Sequence, residues 1–229
     1  MKKALILILI IGIIIVGGFF FYQNLKKEKA SSLEEISMPE TINNPEGKPS
    51  VSYGAGKKIA MVIAFRDFRD AEYFVPKEIL EKAGAEITTV STRRGTAIGA
   101  DGGEVEVDLL ISEINPAEFD AVLFIGGPGC LENLDNETSY QLVREVIFQN
   151  KVLAAICISP VILARAGVLE GKRATVWSSP MDKAPVRILE ESGAIYQEKL
   201  VAVDGKIVTA NGPGAAEGFA RAVVQALKK

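Results

Sequence analysis

Lys151-Val-Leu-Ala-Ala-Ile156-Cys157-Ile-Ser159-Pro160-Val-Ile-Leu-Ala-Arg-Ala-Gly167 decides how this chain folds. Residues 152–156 form a short apolar run, the pattern of a strand buried on both faces. Ser159-Pro160 reads as a helix start, with Pro160 near the first helical position, where a missing N–H costs nothing. Leu163, Ala164 and Ala166 continue the helix, and Gly167 suits a left-handed end. Cys157 therefore falls on a sharp strand-to-helix turn at the carboxyl edge of a sheet. Backbone N–H groups at a helix start favour thiolate over thiol, so the turn reads as a nucleophile elbow carrying sulfur. A buried cysteine that only packs fits the same local pattern.

Strand and helix signals alternate on both sides of this turn. Apolar or β-branched strands are expected at 59–65, 86–91, 104–111, 120–125 and 174–177. Helices are expected at 71–83, capped by Asp70 and ended by Gly84, at 140–148, at 180–192, and through Phe219, Val223, Val224 and Leu227. Residues 200–209 read as a hairpin turning at Asp204-Gly205. This alternation specifies an α/β fold with a mostly parallel sheet covered on both faces. Ligands in such folds sit beyond the carboxyl ends of the strands. Cys157 and the turn Gly126-Gly127-Pro128-Gly129 share that edge.

The amino-terminal part differs in composition. A basic tail, residues 1–3, precedes an uncharged apolar run at 4–22. A helix of that length reaches about 28 Å, enough to cross a hydrocarbon core. Its apolar core is longer than that of a cleaved signal peptide, and no small-x-small site follows, so the run is expected to be an uncleaved transmembrane anchor. Lys2 and Lys3 face Lys26, Lys27 and Lys29 across it. The short basic tail favours a single-pass arrangement with the soluble part outside the cytoplasm. Residues 23–56, rich in Ser, Pro, Asn and Gly, read as a flexible tether to a domain at 57–229. Beyond residue 56 the sequence holds 20 basic and 24 acidic residues, and this balance, with no basic run, argues against nucleic acid as a partner.

Histidine is absent from the sequence, which removes Cys–His and Ser–His–Asp machinery and histidine metal sites. With Cys130 and Cys157 as the only cysteines, a thiolate metal site within one chain is not expected either. The partner of a reactive Cys157 must be a carboxylate, a dipole or a backbone donor. Asn136-Glu-Thr138 fits a glycosylation sequon, a triplet that also arises by chance.

Four elements occur in order: Asp70-Ala-Glu72-Tyr-Phe-Val-Pro76, Gly126-Gly127, Ala155-Ile156-Cys157-x-x-Pro160 and Asn211-Gly212-Pro213-Gly214. Together they make residues 58–228 resemble the DJ-1/PfpI family, which implies a flavodoxin-like three-layer sandwich. The resemblance makes Cys157 the nucleophile and Glu72 the active-site carboxyl bonded to its sulfur. A carboxyl group beside a thiolate in a partly apolar pocket keeps its proton. Gly127 and Ile158 become backbone oxyanion donors, and Gly126, Cys130 and Trp177 candidate pocket residues. For Trp177 and Cys130, core packing is the competing reading.

The departures from the family pattern are equally specific. Ile158 stands where the peptidase branch carries a histidine, and Ser178-Ser179-Pro180 where the animal deglycase branch has one. The function implied is cysteine-dependent chemistry on reactive carbonyls, a small aldehyde or a glycated substrate, of the glyoxalase or deglycase type. It needs no cofactor and no metal, and the family often forms homodimers. A redox sensor or chaperone-like protein is the alternative, with a peptidase or amidase third.

Overall fold

The structure, a computed structural model, describes residues 56–228. The expected basic tail and transmembrane run lie outside the described residues, as does the expected tether except Gly56. Among the described residues no helix is long and apolar enough to cross a membrane.

The strands are β1 (Lys58–Val62), β2 (Arg66–Phe68), β3 (Glu86–Ser91), β4 (Gly95–Gly99), β5 (Glu104–Val107), β6 (Leu109–Leu110), β7 (Ala121–Phe124), β8 (Val152–Ile156), β9 (Arg173–Ala174), β10 (Ile195–Tyr196), β11 (Val201–Asp204) and β12 (Ile207–Ala210). The helices are α1 (Asp70–Lys82), α2 (Cys130–Leu134), α3 (Glu137–Phe148), α4 (Pro160–Arg165), α5 (Ala184–Glu191) and α6 (Ala216–Ala226). The main sheet has seven strands in the order β11-β12-β8-β7-β1-β3-β6. Every pairing in it is parallel except β11 with β12.

Alternation along the central strands divides the core. Ile59, Met61, Leu123 and Ala154 pack on the side of α1 and α6, with Tyr73, Leu80, Phe219 and Val223. Ala60, Val62, Phe124 and Leu153 pack on the other side, with Val143, Val146, Ile162 and Leu189 of α3, α4 and α5. The central strands are apolar on both faces because both faces are covered. Three layers result, as the sequence implies.

Several expected boundaries move. The expected 104–111 strand divides into β5, antiparallel to β4 in a small three-stranded sheet, and β6, at the edge of the main sheet. The 174–177 strand shrinks to β9. The hairpin turns through Gly205-Lys206 instead, since Asp204 still pairs with Ile207. Asp70 does not cap α1: Arg69 holds the N-cap position without a side-chain bond. The Asp70 carboxylate accepts the backbone N–H groups of Asp101 (2.8 Å) and Gly103 (2.6 Å) instead, tying the β4–β5 loop to the start of α1. Asn136, of the Asn136-Glu-Thr138 triplet, caps α3 through a bond from the Ser139 N–H at 3.2 Å.

At the amino ends of the strands, Lys57, Asp120, Lys151 and Lys206 surround a small hollow that Ala226 and Leu227, at the end of α6, also line. Lys57 Nζ lies 2.9 Å from Asp120 there.

Candidate active site

Cys157 has a φ of +66°, the left-handed region that non-glycine residues rarely occupy. Its N–H donates to Ala210 O (2.8 Å), and its carbonyl accepts the Trp177 N–H (2.8 Å). These bonds hold the elbow between the end of β12 and the segment after β9. Ser159, read from sequence as a helix-start residue, makes no cap bond. Its buried hydroxyl lies 2.8 Å from Phe124 O and 2.7 Å from Ile156 O, and accepts the Ile156 N–H at 3.0 Å. That one oxygen staples the ends of β7 and β8 beneath the cysteine.

The glycine turn after β7 closes over the same point. A Cβ on Gly126 would stand 2.5 Å from Cys157 Cβ, 2.7 Å from Glu72 Oε2 and 2.8 Å from Ile156 O. Gly126 is therefore the floor that lets the thiol and the carboxyl approach, and not a wall of the cleft. Its carbonyl accepts the Arg69 N–H at 3.0 Å, which fixes the start of α1 against the turn. Gly127 follows with φ +119°, and a side chain there would meet the backbone of Asp67 and Phe68 at 2.5 and 2.7 Å.

Glu72 projects from the first turn of α1 and is completely buried. Neither of its oxygens makes a hydrogen bond of full geometry among the described residues. Burial raises its pKa from the usual 4.5 to about 7, against the pull of the Cys157 thiol, the Arg69 guanidinium and the Gly126 N–H. Cys157 is pushed up to about 12, first by burial and then by the neighbouring Glu72 carboxylate. The N–H groups of Gly127 and Ile158 act on the sulfur in the opposite direction. The helix-start dipoles expected to favour thiolate are thus present but outweighed, and α4 is only six residues long. The two acids share one desolvated pocket and titrate as a pair. Between the two values the pair carries one negative charge, held on the Glu72 carboxylate.

The sulfur opens into a cleft of about 330 Å³ lined by Arg69, Gly127, Pro128, Leu131, Cys157, Ile158 and Trp177. Trp177 is half-buried and takes the pocket role. Cys130 is fully buried at the start of α2, in the core on the α3–α5 side, and does not line the cleft. Burial pushes its thiol up as well, and both cysteines are free.

The domain that carries this arrangement has counterparts among known proteins. The DJ-1/PfpI family matches residues 57–226. The chain belongs to this family. A protein of Methanocaldococcus jannaschii is 42% identical over 173 residues, covering 75% of this chain and 83% of that protein. Deglycase PfpI of Pyrococcus furiosus is 32% identical over 168 residues, 73% of this chain and 98% of its own. Among solved structures, a ThiJ/PfpI domain protein of Brachyspira murdochii superposes with a TM-score of 0.71 at 38% identity, covering 75% of this chain and 98% of that one. The flavodoxin-like α/β fold of this DJ-1/PfpI domain agrees with that neighbour.

Arg69, Pro128 and Leu131 line the cleft and Ser159 braces it, roles that sequence reasoning did not assign. Arg69 was legible in principle. It lies three residues before Glu72, at the N-cap of the helix that carries the carboxyl. Ser159 was not, because its partners come from β7 and β8 and only folding brings them together.

Proposed function

We propose that this protein acts on small reactive carbonyl compounds through Cys157, by addition of the glyoxalase or deglycase type. The observation that carries this reading is the fully buried Glu72 carboxyl beside Cys157, whose sulfur opens into a mostly apolar cleft. A buried acid with a pKa near 7 can both give and take a proton at neutral pH. With methylglyoxal, the Glu72 carboxylate takes the Cys157 thiol proton as the sulfur forms a bond to the aldehyde carbon, and passes that proton to the aldehyde oxygen. Glu72 then removes the proton from that carbon and returns it to the adjacent ketone carbon, while the hydroxyl proton on the first carbon passes to the former ketone oxygen. The first carbon is thereby oxidised to a thioester and the second reduced to an alcohol. Water cleaves the thioester, releasing lactate and restoring the thiol. Gly127 and Ile158 N–H groups stabilise the negative charge at the reacting centre.

Incubating the purified protein with methylglyoxal and assaying for lactate tests this reading. Consumption no faster than in a protein-free blank refutes it. The same buried carboxyl also favours a second reading, a redox sensor, because a protonated Glu72 can donate to an oxidised Cys157 sulfur. We also propose that residues 4–22 carry this domain as a single-pass anchor, from their length and lack of charge.

A further inference from the structure

Among the described residues, Arg69 supplies the only charged side chain in the wall of the cleft, on a domain whose acidic residues outnumber its basic ones. Its guanidinium is one-third exposed and bonds Asp101 through a single nitrogen, Nη1, at 3.1 and 3.2 Å from the two carboxylate oxygens. Nε and Nη2 make no hydrogen bond among the described residues, so two donors of a planar fork remain for another acceptor. Asp101 is the more exposed partner, and the pair sits at the surface, where an ion pair contributes little. The guanidinium charge is felt at Glu72, so it stands near the reacting groups as well as in the cleft wall. The remaining lining, Pro128, Leu131, Ile158 and Trp177, offers apolar contact, and the cleft suits a molecule of a few heavy atoms.

We infer that Arg69 is a carboxylate-binding residue of the thiol cleft, selecting small 2-oxo or 2-hydroxy acids over their uncharged counterparts. The fork geometry matches a carboxylate better than a lone carbonyl. Asp101 competes for the same guanidinium and sets how readily it turns to a ligand. The selection for carbonyl substrates rests on the proposed carbonyl chemistry; the anion site itself does not.

Trp177 gives a readout independent of turnover, since it is the only tryptophan in the sequence and lines the same cleft. The probes are glycolate, a two-carbon hydroxy acid without an electrophilic carbon, and ethane-1,2-diol, its neutral analogue, titrated into the full chain at constant ionic strength. Glycolate should change Trp177 fluorescence saturably and the diol should not. Arg69→Met should weaken glycolate binding by about tenfold or more, the size of a lost charge-assisted contact. Asp101→Asn should tighten it a few-fold, and decides the matter if Arg69→Met does not fold. Equal responses to the two probes, or glycolate affinity unchanged in both variants, overturns the inference. Kinetics separate it from the carbonyl reading. If methylglyoxal is not turned over but glycolate binds in an Arg69-dependent way, the anion site stands and the carbonyl reading falls. If methylglyoxal is turned over and glycolate does not bind, the inference falls alone.

Discussion

Replacing Glu72 by Gln should change how stability depends on pH, with a sign and size that follow from burial. In the folded protein Glu72 holds its proton up to about 7, against 4.5 for an ordinary glutamate. Below 4.5 the carboxyl is protonated in both folded and unfolded chains, and its burial carries no ionisation cost. As pH rises from 4.5 to 7 the unfolded chain ionises first, so wild-type stability falls across this window. The loss is complete above the folded value, and at about 1.4 kcal/mol per pH unit it amounts to about 3 kcal/mol. The glutamine amide of the variant has no such proton to lose. The stability of Glu72→Gln minus that of wild type should therefore rise by about 3 kcal/mol between pH 4 and pH 8. Urea denaturation of both proteins at several pH values measures this, and the difference cancels groups common to both. Cys157 does not interfere, since its thiol titrates near 12. A flat difference would show that Glu72 is not desolvated. A falling one would mean that Arg69 holds it ionised well below neutrality.

Cys157→Ser and Glu72→Gln should each reduce methylglyoxal consumption about a hundredfold or more, while Cys130→Ser, packed away from the cleft, retains most of it; initial rates measure both. Gly126→Ala should cost about 1–3 kcal/mol in denaturation midpoint analysis by forcing the thiol and carboxyl apart, with turnover lost beyond what unfolding explains. Mild peroxide should add two oxygens to the Cys157 peptide and none to that of Cys130, and a Cys130–Cys157 disulfide as the main product in mass spectrometry would count against it. The full chain should pellet with membranes and resist carbonate extraction, whereas a soluble mature chain starting after residue 22 would remove the anchor.

The parts legible in the sequence are those decided locally. Residues 152–156 are apolar throughout and Pro160 opens the next helix, so β8 and the start of α4 appear where expected. The small sheet was not legible. β2 is three residues long with two charged, and β4 is bounded by glycines at both ends, so neither shows the period of a buried strand. Asp70 illustrates a different failure. Its type and place suit a cap, but Asp101 and Gly103, some thirty residues later, offer it two N–H groups instead. Cys157 could be found from its turn alone. Glu72 could be assigned only through the family resemblance, because a first-turn glutamate is ordinarily a solvent-exposed partner of the helix dipole. Nothing local to it announces that it will be fully buried.

The hollow shared by Lys57 and Leu227 has a consequence for construction. Both ends of the described domain emerge together, at the edge of the sheet farthest from the sulfur. The domain is thus wired like a plug, with its two leads at the back and its contact at the front. Closely spaced termini are what circular permutation and insertion into another protein require. A short linker joining residues 228 and 57, with new ends opened in an exposed loop away from Cys157, should leave the cleft as it is. A partner domain attached at either lead should equally leave the mouth of the cleft unobstructed.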